Sequence, residues 1–195
     1  QTEKLMEVCR MRKTPVIVFI NKMDREGRDA FDLLDELEDK LSIKVRPLSW
    51  PIGIGETFKG VYNMHRGNLN LFEGSKTNIA KENIEIDNLQ STVLDQYVGE
   101  DFANELREEV ELVNGVYNEL DVSQYLSGEV APVFFGSALN NFGVQELLNT
   151  FIEIAPEPRG RESDAGLISP TDNKFSGFVF KIHANLDPKP VSYTH

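Results

Sequence analysis

The sequence predicts an α/β fold: a parallel sheet flanked by helices. Two observations predict it. A short β-branched run, Thr14 to Ile20, precedes a helical stretch at Ala30 to Leu41. A second apolar run, "APVFFGSA" at 131–138, precedes another helical stretch at Gly143 to Ala155. Between the two lies sequence of a different kind, with prolines in its strand-like part and a hairpin pattern. Strand followed by helix at both ends is the pattern of parallel sheets whose crossovers cover the faces.

The elements follow in order. Residues 1–13, QTEKLMEVCRMRK, read as the end of a helix already under way, with Leu5, Val8 and Met11 on one face. Thr14 to Ile20 is expected as a fully buried strand. In the helix at 30–41, Phe31, Leu34, Leu37 and Leu41 recur at three- and four-residue steps. "VRPLSWPIGI", 45–54, is expected as one strand broken by prolines, and "FKGVYNM" and "NLNLF" as a hairpin around His65-Arg66-Gly67. Residues 73–90 are polar and expected to be irregular. Phe102, Leu106, Val110 and Val113 mark a second amphipathic helix. In the helix at 143–155, Val144, Leu147, Leu148, Phe151 and Ile152 are the expected buried side, and Pro156 ends it. Residues 156–174 are a linker by composition, and "FSGFVFKIHANL" begins a further strand. No internal repeat is visible.

Composition bounds the function. With 40% hydrophobic and 27% charged residues, the 195-residue chain has the make-up of a soluble globular protein. It contains no apolar run long enough to span a membrane and no signal-peptide core near its start. A net charge of -12 argues against sequence-specific grip on nucleic acid, which needs clustered Lys and Arg. The one cysteine, Cys9, has no internal disulfide partner, and a cytoplasmic setting is expected.

Two polar clusters fall where a parallel sheet places its ligands, beyond the C-terminal ends of strands. Asn21-Lys22-Met23-Asp24 follows the first strand, and Gly136-Ser137-Ala138-Leu139 follows "PVFF". Neighbouring parallel strands would bring both to one edge. An ionised Asp offers two acceptor oxygens and no donor. It suits a planar group with two adjacent N–H donors, held by parallel charge-assisted bonds. Guanine has such a face at N1–H and its 2-amino group, and adenine does not. The stem of Lys22 can lie along a ring face, Asn21 can tie the loop to its neighbour, and a backbone N–H of the Ser137-Ala138 turn can meet guanine O6.

The bland readings are structural. Asp24 or Asp29 would cap the next helix, and Ser137 would be a plain turn residue. The acidic runs "DELEDK" and "REEVEL" are expected as solvated helix faces. Trp50 is expected in the core. His65, His183 and His195 have no Cys or carboxylate at ligand spacing, so no metal site is expected in this chain.

"NKMD" with "GSAL" resembles the fourth and fifth motifs of the GTP-binding P-loop proteins. "TPVIVFINKMDREGRD" is similar to the translational GTPases. Taken with "LSWPIGIGETFKGVYN", "VGEDFANELREEVELV", "APVFFGSALNNFGVQELL" and "FSGFVFKIHANLDPK", it resembles the peptide chain release factor three family. Elongation factor G shares "NKMDR" and a "PIG…FKGV" segment and is the nearest alternative.

The resemblance implies a partial P-loop GTPase domain at 1–44 and 129–156, with an inserted α+β subdomain at 45–128. A linker at 157–174 and the start of a β-barrel domain at 175–195 would follow. It implies GTP or GDP binding through Asn21, Lys22, Met23, Asp24, Ser137, Ala138 and Leu139. The partners implied are the ribosome and the class I release factors that read stop codons. The implied reaction is ribosome-dependent GTP hydrolysis in translation termination.

No G-x-x-x-x-G-K-[ST] phosphate loop occurs, nor a metal-binding D-x-x-G motif in the right place. The chain is therefore expected to be an internal fragment holding the base end of a nucleotide site, inactive alone, with the Mg²⁺ ligands elsewhere in its parent. The terminal PVSYTH departs from the family pattern. The contrasting expectation is a nucleotide-independent scaffold on a degenerate GTPase fold.

Overall fold

A computed structural model describes residues 2–72, 83–86, 88–164, 166–177 and 179. Two compact units divide the chain, residues 1–155 and 156–195.

Among the described residues the first unit contains two sheets. One is a three-stranded parallel sheet in the order β1 (Val18–Asn21), β7 (Val130–Gly136), β2 (Lys44–Pro47). Val18 stands beside Val133 and Asn21 beside Gly136, so β1 and β7 end together. The other is a four-stranded antiparallel sheet, β3 (Ser49–Ile52), β4 (Gly60–Asn63), β5 (Asn68–Leu71) and β6 (Asn83–Glu85). The α/β class with a parallel sheet is as the sequence predicts.

Residues 45–54 do not form one interrupted strand. Leu48 separates β2 and β3, which belong to different sheets. The chain keeps hold of β7 across this break. The Leu48 N–H donates to Val133 O at 2.9 Å, and Phe135 N–H donates to Ser49 Oγ at 3.0 Å. Pro51 is tolerated because β3 is an edge strand.

Helix α1 (Thr2–Met11) buries Met6, whereas Leu5, Val8 and Met11 are exposed. Their shared face has no described element over it; Met6 packs instead with Leu41, Ile43 and Ala131. Strand β1 is half-buried rather than fully buried, because its one strand neighbour among the described residues is β7. Helix α2 (Ala30–Leu41) starts at Asp29, whose carboxylate accepts from the Phe31 N–H at 2.8 Å. That satisfies one of the N-terminal donors a helix leaves open, so Asp29 and not Asp24 is the cap.

The hairpin forms as expected, with Asn63 Oδ1 accepting from the His65 and Arg66 N–H groups in its turn. Asn83–Glu85 pairs with β5 and Ile86 is buried, so the end of the segment expected to be irregular is sheet; residues 73–82 lie outside the described residues. Periodicity misses so short a strand. Two short helices also went unpredicted, α3 (Thr92–Val98) and α5 (Val122–Ser127). Helix α4 (Glu100–Val116) buries Ala103, Leu106, Val110 and Val113, with Phe102 half-buried.

Trp50 is the centre of the core, 0% exposed, with its ring 4.7 Å from that of Phe31 and 5.6 Å from that of Phe135. Its indole N–H donates to Glu109 at 2.8 Å. "REEVEL" is therefore not wholly a solvated face: a buried indole donor needs an acceptor, and Glu109 supplies it. Arg107 likewise turns inward, to Leu89 O at 2.7 Å and Asp95 at 2.8 Å. In "DELEDK", Glu38 accepts from the Val45 N–H.

Helix α6 (Val144–Ile154) rotates against expectation. It buries Glu146, Thr150 and Ile154, and leaves Leu148, Phe151 and Ile152 exposed. Polar pairing to the hairpin fixes the rotation: Glu146 accepts from the Asn63 side chain, and Glu153 from Arg66 at 3.2 Å. The apolar side has no described element to bury it.

In the second unit, Arg161–Ser163 (β8) and Gly166–Ile168 (β9) form a small exposed hairpin within the expected linker. The strand expected from Phe175 is not seen at 175–177, and most of its remainder lies outside the described residues.

Candidate functional site

Parallel pairing of β1 with β7 puts the two polar clusters at one sheet edge. The first is held by its backbone. The Met23 N–H donates to Gly136 O at 3.1 Å, and Met23 O accepts from the Gly55 N–H at 2.9 Å. The Met23 side chain is 2% exposed and anchors the loop in the core. Lys22 adopts a left-handed backbone, φ 73°. That is costly for a residue with a Cβ and persists where the surroundings fix it. Asn21 fixes it here, its Oδ1 accepting from the Lys22 N–H at 2.8 Å.

The second cluster is a closed loop. Ser137 and Phe142 exchange both backbone hydrogen bonds, at 3.1 and 2.9 Å, around a single 3-10 turn at Ala138–Asn140. Phe142 is buried and packs edge-on against Phe58 and Phe72, with ring centroids 5.6 and 5.4 Å away. Gly136 permits the close approach, since a Cβ there would sit 2.4 Å from Phe142 O and 2.8 Å from the Phe19 ring.

Side chains then join the clusters. Asn21 Oδ1 accepts from the Ala138 N–H at 2.9 Å. The Asn140 side-chain nitrogen donates to Asp24 Oδ2 at 3.1 Å and to Ser137 Oγ at 2.9 Å. Lys22, Ala138 and Leu139 are exposed around this junction, Asp24 is half-buried and Ser137 is 1% exposed. Because the Ala138 N–H is taken by Asn21, the free donor of the turn lies one residue on. No partner for the Leu139 N–H occurs among the described residues.

A model of the elongation factor Tu GTP-binding domain family matches residues 1–157. The chain belongs to that family. The elongation factor Tu GTP-binding family is one of translational GTPases, so the parallel sheet and its helices are a GTPase-domain fold. Of the residues that complete the junction, sequence reasoning missed Asn140. Its signal is its place three residues after Ser137, where a 3-10 turn stacks side chains i and i+3.

The junction presents a carboxylate that can accept from two adjacent N–H donors. Asp24 presents a carboxylate at the surface, Lys22 stands beside it, and the Leu139 N–H is open. The residues that hold Mg²⁺ and phosphates in P-loop NTPases have no counterpart in these 195 residues.

Proposed function

We propose that the chain is the guanine-binding part of a ribosome-dependent GTPase of translation termination, one that promotes dissociation of stop-codon-reading release factors from the ribosome. The observation that carries the guanine reading is the joining of the two loops, with the Asp24 carboxylate held at their junction. Asp24 would accept from N1–H and the 2-amino group, Lys22 would cover a ring face, Asn21 would brace the loops, and the Leu139 N–H would meet O6. Ser137 and Ala138 would close the pocket.

The termination role is supported by the order and wording of the five sequence blocks. Elongation factor G is the second reading, favoured by the shared "NKMDR" and "PIG…FKGV". In either, residues 1–44 and 129–156 belong to the GTPase domain, 45–128 to the insertion, and 157–174 lead to a further domain beginning near 175. The setting is cytoplasmic.

Base recognition without phosphate contacts is weak. A charge-assisted hydrogen bond contributes about 1.5–3 kcal/mol, against an association cost of roughly 4 kcal/mol or more. The chain should bind GDP with a Kd in the millimolar range or weaker, about -4 kcal/mol, and hydrolyse no GTP. Titration with GDP and ADP, followed by amide shifts of ¹⁵N-labelled protein, tests this. Shifts at Asp24 and Leu139 with GDP alone are expected. An equal response to ADP would reject the guanine reading, and micromolar affinity would show a phosphate site in these residues.

A further inference from the structure

The side-chain nitrogen of Asn140 lies between two acceptors from different loops, Asp24 Oδ2 at 3.1 Å and Ser137 Oγ at 2.9 Å. Its orientation is forced, because an ionised carboxylate has no hydrogen to give and only the NH₂ end of the amide can face it. The two hydrogens of that NH₂ group match the two acceptors.

We infer that Asn140 is a positioning residue for guanine specificity: it sets the plane of the Asp24 carboxylate so that both oxygens face the base. The inference rests on the guanine reading of Asp24. An ionised carboxylate has about four lone-pair sites. Asn140 takes one on Oδ2, which leaves two on Oδ1 and one on Oδ2, so each oxygen can still accept one of a pair of parallel donors. Without that bond the carboxylate turns about its own side-chain bonds, and a two-point contact requires it to stop turning. A one-point contact requires much less.

Asn140 is itself well placed to hold another group still. Its backbone N–H donates to Ser137 O at 3.1 Å, the next residue, Asn141, is left-handed at φ 54°, and Phe142 anchors the loop in the core. The rigid second loop therefore orients the acid of the first. Asn21 joins the loops through a backbone donor, whereas Asn140 acts on the recognising group.

A plain loop-closing role predicts something different, and the two nucleotides GDP and IDP separate them. Inosine lacks the 2-amino group and so makes the one-point contact. The experiment titrates the wild-type chain, Asn140→Ala and Asn140→Asp with GDP, IDP and ADP, reading amide shifts at Asp24 and Leu139. Asn140→Asp keeps the shape and sets an acceptor against Oδ2. The expected result is that wild type prefers GDP over IDP, and that Asn140→Ala lowers this preference about fivefold, the effect of one hydrogen bond. Asn140→Asp should lower it at least as much. IDP binding should change little in either variant. A GDP-to-IDP preference that survives both substitutions overturns the inference and leaves the guanine reading standing. Equal loss of GDP and IDP binding also overturns it, in favour of loop closure. A wild-type response that does not distinguish GDP from ADP rejects the guanine reading, and the inference with it.

Discussion

Asn21 Oδ1 lies 2.9 Å from the backbone nitrogen of Ala138, 117 residues further along the chain. One short side chain thereby closes the gap between two strand ends that lie far apart in the sequence. The same oxygen accepts from the Lys22 N–H, so it holds its own loop in a left-handed bend and ties that loop to its neighbour. Both jobs need an acceptor three bonds from Cα, which is what Asn provides.

Asp24→Asn replaces one acceptor oxygen with a donor facing the donors of guanine. The response to GDP should fall about 10- to 100-fold, as expected for loss of a charge-assisted bond of ~1.5–3 kcal/mol. Xanthosine diphosphate, with a carbonyl at the former amino position, should gain. Parallel shift titrations of the variant with the two nucleotides measure the exchange, and unchanged GDP binding would refute the role of Asp24.

The second strand edge of β1 is unpaired among the described residues, and Val18, Phe19 and Ile20 border it with Leu37 and Leu41. An open apolar edge is a template for pairing with another chain. The isolated 195-residue protein should therefore self-associate as its concentration rises. Light scattering coupled to size exclusion checks this, and a monomer at all concentrations with one cooperative thermal transition would count against it.

Gly136→Ala drives a Cβ into Phe142 O and the Phe19 ring. The obstacle on one side is backbone closed by two hydrogen bonds, so the loop must shift. The cost should be about 1–3 kcal/mol, the range for overpacking, or several degrees in Tm at ~2–4 °C per kcal/mol. A variant with unchanged Tm and unchanged shifts at 137–142 would contradict it.

Burial pushes the Glu109 carboxyl above the usual carboxylate range; the Trp50 N–H pulls it down, and Glu105 and Asp29 push it further up. The folded chain thus binds this proton more tightly than the unfolded chain. Its contribution to stability is full below the ordinary carboxylate range and is lost as the pH rises through the raised value. Glu109→Gln keeps an acceptor for the indole and removes that loss. Its Tm should exceed that of wild type near neutral pH, and the advantage should vanish below about pH 4. Fluorescence of Trp50, the chain's one tryptophan, follows both.

The hydrophobic periods of the sequence were enough for the long elements. Phe31 to Leu41 and Leu106 to Val113 define helices whose inward positions are right, because each packs one face on buried apolar residues. The alternation of strand and helix was enough for a parallel sheet, and the ends of its strands located both polar clusters. Local chemistry marked the turn at Gly67 and left Asp24 and Asp29 as rival caps.

What the sequence left open depends on contacts between distant residues. Leu148, Phe151 and Ile152 carry the stronger hydrophobic signal in α6, yet Glu146 and Thr150 face inward, because Asn63 and Arg66 of the hairpin hold the helix by hydrogen bond and ion pair. Glu109 is one acid in a row of acids until Trp50 is seen to donate to it. Asn140 is a loop residue until the pairing of β1 with β7 brings Asp24 beside it. Sequence alone determined the long elements, the family resemblance and the places of the two polar clusters, since each rests on residues near one another in the chain. Only the tertiary structure decided which polar groups meet, since a hydrogen bond is made by distance and direction in space and leaves no period in the sequence.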